Sequence, residues 1–549
     1  MSMPGRTRLP STGSADGRPG KPSNQPCSKP SKPCSAGPSL RKKKRKPGSR
    51  NREDCPGSEK SAKKRNLPHF SLYGSLMDRG PKTRTAPNQT EERPLPAELD
   101  FLRDPGLEAS LVGSTALYEA CRREGLSLPP APRDLDVAWK LDLEQGRRLL
   151  EERGIEVSAT QGNLDRGTLG ALFDGFRVEF TTYRGGGGSA GERIAEDAAR
   201  RDMTIGALFW TLWDDRILDP LGGLQDWERG LIRACGDPEE RIREHPVRAL
   251  RYIRKVTTLG FYLDTRTRKA IRALGPEIAR ELAPEALAQE VRSVLAEAAS
   301  PGVFFQMCAE ELILARLLPE IAPLFHGIPA GRVRHHPEIS QALHMILVLR
   351  AAVLQAEKQG LDPAGRHKLL VAALCHDLGK GVTPMDELPS HPAHETTGLA
   401  QIRSLFQRLP GFGSKSLMRL VQSTTRCHLL IDKLRDVRHG TLVRLWDKEL
   451  SPHRKDLRLF ATLVRCDQEG RMRPQDLGLP VPPGHPSSVD WDAFEAGMVR
   501  DLEELDAILS TVSGEESARR HPGDPKALKR DLHERRCRAL KNSGFLKGS

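Results

Sequence analysis

Long apolar runs are missing from this sequence of 549 residues. It has no stretch of about 18 consecutive apolar residues, the length that a helix needs to cross a bilayer. The N-terminus also lacks the apolar core of a secretory signal peptide. These absences predict a soluble, cytoplasmic protein without a membrane partner, and the length predicts three or four domains.

Cysteine pairs with the spacing of metal ligands are missing as well. The ten cysteines are scattered, and no two of them form a Cys-x-x-Cys pair. Zinc clusters and thioredoxin-like redox sites usually need that spacing. Reduced thiols in a cytoplasmic protein are therefore the simplest interpretation.

Acidic and aliphatic residues are scarce in residues 1–94. This segment holds 22 Lys and Arg residues against seven Asp and Glu residues, so its net charge is +15, whereas the rest of the chain carries −1. It has too little apolar surface to offset the entropy lost on folding, and we predict a disordered tail. Its basic run "RKKKRKPGSR" suits RNA phosphates, although a solubilising extension without function is the alternative.

Two aspartates interrupt an apolar segment in "APRDLDVAWK". Asp134 and Asp136 lie two residues apart in the alternating pattern of a half-buried β-strand, so both point to one side. Adjacent carboxylates repel each other, and Mg²⁺ ions bound between them would relieve that repulsion and could drive phosphoryl transfer. Glu179, in the second alternating segment "FRVEFTTYR", could be a third carboxylate. Strand-end aspartates without a chemical role are the alternative.

Two further segments near these strands could bind phosphate. Gly113 and Ser114 stand between an apolar strand and a helix in "LVGSTALYEACRREG", and a helix N-terminus presents N–H groups to an anion. Arg200 and Arg201, in "EDAARRDMTIGALFW", could clamp a triphosphate. A solvated helix face is the alternative for this arginine pair.

The helical second half of the chain contains a different constellation. The apolar helix in "HKLLVAALCHDLGKG" delivers His376 and Asp377 just before Gly379. Mixed imidazole and carboxylate ligands suit a transition metal or Mg²⁺ that holds an activated water. A single histidine or aspartate on a helix is more often a packed or solvated residue.

These motifs follow one another in a recognisable order. Gly-Ser, Asp-x-Asp, "RRDMTIGAL", "DPLGGLQDWERGLIRA" and "EHPVRALRYIRKVTTLGF" lead into "LCHDLGKGVTP". This order resembles the class II tRNA nucleotidyltransferase/poly(A) polymerase family, and the layout over roughly residues 108–475 is similar to bacterial CCA-adding enzymes with a C-terminal HD phosphohydrolase domain. The resemblance implies an α+β fold in which a polymerase-beta-like α/β head precedes mostly α-helical neck, body and HD domains.

The resemblance also implies where the parts of the chain divide. In chain order they are a disordered basic tail (1–94), the nucleotidyltransferase head (95–210), an RNA-binding neck with the nucleotide-template helix (211–275), a helical body (276–330), the HD phosphohydrolase domain (331–475) and a C-terminal helical tail (476–549).

In the head and neck, the resemblance assigns roles residue by residue. Asp134 and Asp136 would hold the Mg²⁺ ions that activate the RNA 3′-hydroxyl, with Glu179 beside them. On a helix beginning at Glu244, a family Asp and Arg three residues apart read the incoming base. The nucleotide-binding positions implied in this way are Gly113, Ser114, Arg200, Arg201, Asp202, Glu244, His245, Arg248 and Arg251.

Three positions depart from the family pattern. The usual Gly-Gly-x-x-Arg-Asp turn reads "GSTALYE", the family Asn of "RRDMTIGAL" is Gly206, and the template Asp is His245. A carboxylate only accepts hydrogen bonds, whereas a neutral imidazole accepts through one nitrogen and donates through the other. We therefore expect weaker discrimination between bases, with Glu244 as a substitute only if the helix rotates.

In the HD domain, the resemblance implies a metal site for Mg²⁺ or for a transition metal such as Ni²⁺. Its implied ligands are His344, His376, Asp377 and Asp467. Further histidines that the similar enzymes carry nearby correspond to His391, His394 and His428.

The leading hypothesis is a template-independent RNA nucleotidyltransferase that adds or repairs the 3′-terminal CCA of tRNA from CTP and ATP, with an attached metal-dependent phosphohydrolase. A poly(A) polymerase or A-adding enzyme is one alternative; the basic tail favours it and the HD motif opposes it. A silent nucleotidyltransferase acting as an RNA-binding HD phosphodiesterase is the other. Gly206 and His245 favour that alternative, while the retained Asp134, Asp136, Glu179 and Arg201 oppose it. The sequence leaves the oligomeric state open.

Overall fold

A computed structural model describes residues 97–132, 134–158, 167–173, 176–185, 187–471 and 489–546. The basic tail predicted for residues 1–94 lies outside these ranges. Within them, no helix is both long and apolar enough to cross a membrane.

The head is built on one mixed β-sheet of seven strands. The spatial order is β3-β4-β5-β2-β1-β6-β7, and β2 and β5 run parallel while the other neighbours are antiparallel. In chain order the strands are β1 (Ser110–Val112), β2 (Asp134–Trp139), β3 (Val157–Ser158), β4 (Thr168–Phe173), β5 (Phe176–Thr182), β6 (Phe209–Thr211) and β7 (Arg216–Leu218). A short parallel pair, β8 (Leu231–Ile232) and β9 (Tyr262–Leu263), follows in the neck.

The two faces of the central strands differ as the alternating pattern predicts. Val137 and Trp139 of β2 and Val178 and Phe180 of β5 are buried in the apolar layer on one face. The aspartates of β2 therefore emerge on the opposite face. This opposite face is where a catalytic site can form.

Twenty α-helices cover the sheet and form the rest of the described chain. In the head and neck they are α1 (Ser114–Glu124), α2 (Leu143–Glu152), α3 (Ala190–Arg200), α4 (Gly223–Glu228), α5 (Pro238–Glu244), α6 (Val247–Leu259), α7 (Thr265–Ala273) and α8 (Gly275–Glu281). The next are α9 (Pro284–Glu297), α10 (Gly302–Glu310), α11 (Leu314–Leu317), α12 (Gln341–Lys358), α13 (Pro363–Cys375), α14 (His394–Arg408) and α15 (Lys415–Cys427). The last are α16 (His439–Leu445), α17 (Leu457–Glu469), α18 (Trp491–Ser510), α19 (Gly514–Arg520) and α20 (Pro525–Asn542).

The prediction that the template helix begins at Glu244 is wrong. Helix α5 ends at Glu244 and α6 begins at Val247, with His245 and Pro246 between them. Pro246 has no N–H with which to continue α5, and it disfavours the helical region for the residue before it. His245 accordingly has extended backbone angles, φ −145° and ψ 95°.

Apolar packing runs without interruption through most of the described chain. One set of buried side chains extends from Ala116 in α1 to Cys466 in α17. A second set extends from Leu420 in α15 to Phe545 near the C-terminus and joins the last helices to the HD helices. The boundaries predicted at residues 210, 275 and 330 therefore fall inside one shared core, and all the predicted boundaries remain predictions.

Candidate active sites

The first candidate site lies where β2 and β5 run side by side. Asp136 is in register with Glu179 across this parallel pair, and with Val112 of β1 on its other side. Burial, the Glu179 carboxylate and the Asp134 carboxylate raise the pKa of Asp136 to about 6. Asp134 itself is exposed at the start of the strand. The fold thus concentrates negative charge here, which a divalent cation would stabilise.

Glu179 lies beside Asp136 and also has an arginine partner on its own strand. Its Oε1 lies 2.9 Å from Nη2 of Arg177, with which it forms an ion pair. In the described part of the chain, every group of three or more metal-ligating side chains with atoms within 4.8 Å of one another lies in the helical half. Asp134, Asp136 and Glu179 therefore do not form such a group, although the Glu179 charge acts on Asp136.

The turn before α1 brings the backbone close to these carboxylates. Gly113 caps α1 with φ 65° and ψ −130°, a backbone conformation that side chains disfavour. A Cβ atom on Gly113 would lie 3.3 Å from Oδ2 of Asp136. Ser114 is exposed at the first position of the helix. The turn thus places the N-terminus of α1 beside the aspartates, as phosphate binding requires.

The two adjacent arginines after the head sheet have different environments. The Arg201 guanidinium is mostly buried, donates to Asp197 at 2.7 and 3.0 Å, and lies over the ring of Phe209. Its positive charge acts on Asp136, where it opposes the rise in pKa. The Arg200 side chain is exposed, and its carbonyl accepts hydrogen bonds from other residues. Arg201 therefore faces the aspartates, whereas Arg200 lies at the protein surface.

The predicted base-reading pair is not arranged on one helix face. Arg248 is 5% exposed, and its guanidinium donates to the carbonyls of Arg241 and Arg200 and to the Glu244 carboxylate at 2.6 Å. The other oxygen of Glu244 lies 2.6 Å from Nη2 of Arg241. His245, which is exposed, contacts Arg248 through its carbonyl, which accepts the Arg248 N–H at 2.9 Å. Arg248 thus supports the α5–α6 junction.

The electrostatic environment of His245 is basic. Desolvation and the Arg248 guanidinium lower the pKa of its imidazole below 6.5. Arg184 and Arg251 lower it further, and Glu244 acts in the opposite direction. The neutral imidazole is thus the form present at neutral pH.

Arg184 is a basic side chain near this site that the sequence argument missed. It donates to the Arg200 carbonyl at 3.2 Å and lies 3.6 Å from Oδ1 of Asp197. Burial and the neighbouring Arg201 lower its pKa, so the two guanidinium groups are close. Its position at the end of the strand segment "TTYR" was the available signal. Arg251, which was predicted, lies 3.6 Å from Oδ2 of Asp202.

The second candidate site is centred on the buried carboxylate of Asp377. Oδ2 lies 3.3 Å from Nε2 of His376 and 3.5 Å from Nε2 of His344. Oδ1 lies 3.3 Å from Nε2 of His394 and 4.0 Å from Nε2 of His428. Each oxygen of Asp377 thus has its own pair of imidazoles.

Asp467, from α17, completes the set on the Oδ2 side. Its Oδ1 lies 3.1 Å from Nε2 of His344 and 3.7 Å from Nε2 of His376. On the other side, Nε2 of His394 and Nε2 of His428 are 3.2 Å apart. Two of the three groups of described residues whose ligand atoms lie within 4.8 Å of one another thus surround Asp377: His344, His376 and Asp467, and Asp377, His394 and His428.

Local hydrogen bonds orient three of these histidines alike. Nδ1 of His376 bonds to the Ala373 carbonyl at 2.7 Å. Nδ1 of His394 and of His428 likewise bonds to the carbonyl three residues earlier, at 2.8 and 2.6 Å. A proton on Nδ1 leaves Nε2 as the lone-pair nitrogen. Among the described residues, the buried Nε2 of His376 has no hydrogen-bond partner, as expected of a metal ligand. The donor set therefore fits a divalent transition metal or Mg²⁺.

His391, one of the further histidines to which the family resemblance pointed, does not join this cluster. Its Nδ1 bonds to the Thr383 hydroxyl and its Nε2 to the Pro329 carbonyl, both at 2.8 Å. Both ring nitrogens are thus engaged in holding two loops together. Its carbonyl accepts the Nδ1 proton of His394, so His391 supports a ligand through its backbone.

Two buried side chains that the sequence argument missed hold Asp377 in place. Lys380 Nζ lies 2.7 Å from Oδ2 of Asp377 and donates to the Ala330 carbonyl. Gln341 donates to the same Oδ2 at 3.0 Å. Lys380 is the lysine of "HDLGKG", three residues after Asp377 at the end of a helix, so its spacing was a usable signal.

The protonation of the cluster indicates how a metal would bind. Burial lowers the pKa of His376, but Asp377 and Asp467 outweigh it and raise the pKa to about 10. Burial and the nearby His376 lower the pKa of His428 to about 4. The metal-free cluster thus keeps a proton on His376 that a cation would displace, which makes binding dependent on pH.

Two family models match this chain, one over the head and one over the helical half. A family model of the poly A polymerase head domain matches residues 125–233, and a model of the HD domain matches residues 342–460. The first match begins after the Gly113-Ser114 turn, where the sequence departs from the family pattern. The fold and the two sites thus define a nucleotidyltransferase head joined to an HD metal domain.

Curated relatives make the assignment more specific. The chain is 32% identical to the multifunctional CCA protein of Nitrosococcus oceani over 352 residues, 64% of this chain and 78% of that protein. It is 36% identical to the multifunctional CCA protein of Methylococcus capsulatus over 285 residues, 51% of this chain and 63% of that protein. The chain belongs to the family of multifunctional CCA proteins.

Solved structures agree on the fold. The Thermotoga maritima CCA-adding enzyme, determined in complex with tRNA_CCA, has a TM-score of 0.51 and 15% identity, with 82% of this chain and 93% of that chain covered. The Bacillus stearothermophilus CCA-adding enzyme in complex with CTP has a TM-score of 0.51 and 19% identity, with 81% and 91% covered.

Proposed function

We propose that this protein adds or repairs the 3′-terminal CCA of tRNA from CTP and ATP, and that its HD domain is a separate metal-dependent phosphohydrolase. The observation that carries the first activity is the position of Asp136, between the Gly113 turn and the parallel strand β5. The names of the curated relatives support the same substrate. A cytoplasmic location and Mg²⁺ in the head belong to this proposal.

In the head, Asp134 and Asp136 would hold Mg²⁺ ions, whose charge would help the RNA 3′-hydroxyl to ionise and the pyrophosphate to depart. The Gly113 turn and the N-terminus of α1 orient the triphosphate beside these carboxylates. Arg201 and Arg184 supply positive charge to the same region. The chain thereby contributes mainly positioning and electrostatic stabilisation, as phosphoryl transfer requires.

The HD activity rests on the convergence of four imidazole Nε2 atoms on the two oxygens of Asp377. His344, His376, Asp377 and Asp467 would hold Mg²⁺ or a transition metal such as Ni²⁺, which lowers the pKa of a bound water. The two oxygens of Asp377 face two imidazole pairs, so His394 and His428 offer a second position. The substrates that the family resemblance implies are 2′,3′-cyclic phosphates and 2′-nucleotides.

Two assays on the full chain test the two activities separately. Purified protein and Mg²⁺ are incubated with tRNAs that end before CCA, after C and after CC, with labelled CTP or ATP given singly. CCA addition requires CTP incorporation on the first two tRNAs and ATP incorporation on the third. Incorporation of ATP and no CTP would identify a poly(A) polymerase if it occurs on all three tRNAs and an A-adding enzyme if it occurs only on the third. No incorporation with active phosphohydrolysis would identify a silent head.

A further inference from the structure

An arginine lies directly beside one carboxylate of the HD cluster. Oδ1 of Asp467 faces the Nε2 atoms of His344 and His376, whereas its Oδ2 lies 2.7 Å from Nη2 of Arg471. The Asp467 carboxylate therefore separates the Arg471 guanidinium from the imidazoles of the candidate metal site.

Close packing just before Arg471 fixes where this side chain begins. Helix α17 ends at Glu469, and Gly470 follows. A Cβ atom on Gly470 would clash with Cγ2 of Val348 and lie 2.9 Å from the Val348 backbone nitrogen, so glycine allows the chain to approach α12 this closely. Val348 lies about one helical turn after His344 on α12. The helix that carries a candidate ligand thus also positions Arg471.

Most of the hydrogen-bonding capacity of the Arg471 guanidinium is unused. Of its five N–H donors, the described residues supply a partner only at Nη2, which is Asp467, and the buried Nε has none. A buried donor without a partner is costly and indicates a missing ligand or water. The side chain is 23% exposed, so a ligand can reach the guanidinium from solvent.

The charge of Arg471 is available for an anion once a cation is bound. Burial lowers the pKa of Arg471, but Asp467, Asp377 and Glu338 outweigh burial and raise it, so the guanidinium stays charged. All three carboxylates are buried, and Lys380 Nζ lies 2.7 Å from Oδ2 of Asp377. Lys380 and one divalent cation would balance the three carboxylates, which leaves the positive charge of Arg471 over.

The solvent side of this region is also basic. Burial lowers the pKa of the exposed His335, and four basic side chains lower it further: Arg334, Arg471, Arg332 and Lys433. Asp432 is an acidic neighbour, and Lys433 Nζ lies 3.9 Å from its Oδ1. An anionic substrate that approaches Arg471 would therefore meet a net positive surface.

We propose that Arg471 binds the phosphate group of the HD substrate through the guanidinium N–H groups that Asp467 does not use. The proposal rests on the metal-dependent HD activity proposed above. The planar guanidinium matches two phosphate oxygens at once, which makes arginine well suited to this role. A 2′-nucleotide carries more negative charge than a 2′,3′-cyclic phosphate, so its binding should depend more strongly on Arg471. The competing role for Arg471 is that it only orients Asp467.

The test compares Arg471→Gln and Arg471→Lys with Arg408→Gln in the full chain. Arg408 is also partly exposed and pairs with a buried carboxylate, Glu320, which belongs to none of the described metal-ligand groups. Calorimetric titration measures Ni²⁺ binding. Equilibrium dialysis measures the binding of radiolabelled inorganic phosphate to the Ni²⁺-loaded and the metal-free protein. KM and kcat are measured for a 2′-nucleotide and a 2′,3′-cyclic phosphate.

Arg471→Gln should weaken phosphate binding to the Ni²⁺-loaded protein and raise KM for the 2′-nucleotide, each about 10- to 100-fold, because a charge-assisted contact is lost. KM for the cyclic phosphate should rise less, and Ni²⁺ binding should not weaken, because a neighbouring positive charge is removed. Arg471→Lys should keep part of the phosphate binding, since it retains the charge without the planar fork. Arg408→Gln should match the parent in every measurement.

Phosphate binding by Arg471→Gln at the parent affinity would overturn the proposal, and weaker Ni²⁺ binding in that case would make Arg471 a positioning residue for Asp467. If Arg471→Gln does not fold, parent-like phosphate binding by Arg471→Lys would overturn the proposal instead. If the parent hydrolyses neither substrate, the proposed HD activity fails, and phosphate dialysis alone then decides the role of Arg471.

Discussion

Replacing Asp136 by Asn should stabilise the metal-free protein while abolishing nucleotide addition. Burial and the Glu179 and Asp134 carboxylates raise the pKa of Asp136 to about 6, from an ordinary value of 3.8. An acid whose pKa is higher in the folded than in the unfolded chain opposes folding once the pH exceeds both values. Asn carries no charge, so the substitution removes this unfavourable contribution to the free energy of folding.

The size of the effect follows from that difference in pKa. About two pKa units correspond to about 3 kcal/mol, and partial exposure of Asp136 reduces this to a gain of about 1–2 kcal/mol in the free energy of unfolding. The gain is fully present at about pH 8 and shrinks as the pH falls from about 6 towards about 4. Nucleotide addition should fall about 10³-fold or more, because a metal-binding carboxylate contributes several kcal/mol to transition-state stabilisation.

The assay is urea denaturation of the full chain with EDTA at several pH values, beside labelled CTP incorporation with Mg²⁺. Asp134→Asn is the matched comparison, since Asp134 lies on the same strand but is exposed. It should lose addition without a comparable gain in stability. An Asp136→Asn protein that is no more stable than the parent at about pH 8, or that adds CTP at the parent rate, would refute the reasoning.

Three further outcomes are expected. The parent should discriminate weakly between bases, and more weakly below about pH 6.5 as His245 gains its proton, while His245→Asp should restore rejection of UTP and GTP. Incorporation of all four nucleotides, measured across this pH range, checks this prediction, and a selective, pH-insensitive parent would contradict it. Deleting residues 1–94 should weaken tRNA binding and flatten its salt dependence, because the net positive charge of the chain lies in this tail. An unchanged slope of log affinity against log salt would show that the tail does not contact RNA. His376→Ala should abolish hydrolysis of 2′,3′-cyclic phosphates and leave nucleotide addition intact. The control His367→Ala, whose histidine bonds to the Phe412 carbonyl, should keep both activities. Equal hydrolysis by His376→Ala and the parent would contradict the HD assignment.

The parts of the head that depend on local pattern were predictable from sequence. Alternation in β2 correctly places Val137 and Trp139 in a core, and so places both aspartates on the other face. The pairing of β2 with β5 is a contact between distant segments, so the register of Asp136 with Glu179 had no sequence signal. The ion pair of Glu179 with Arg177 likewise depends on side-chain conformation.

The HD cluster divides in the same way. The Nδ1 bonds of His376, His394 and His428 reach only three residues back, so they follow from the local chain geometry at each histidine. That Asp377 separates two imidazole pairs depends on how α12, α14, α15 and α17 pack, which no short segment encodes. The family order of residues indicated the candidate ligands, whereas the packing of the helices determines how these residues are arranged.

The predicted start of the template helix at Glu244 was an avoidable error. The break between α5 and α6 also limits which residues of this segment can reach a base. Pro246 was visible in the sequence and disfavours a continuous helix through Glu244, His245 and Arg248. The Glu244 carboxylate is held by Arg241 and Arg248, so a rotation of α5 to bring it to a base would break two ion pairs. Arg248 is buried in the same network. Of these three residues, only His245 is exposed without an ion pair to the others, so we propose that its imidazole is the group of this segment that selects the base.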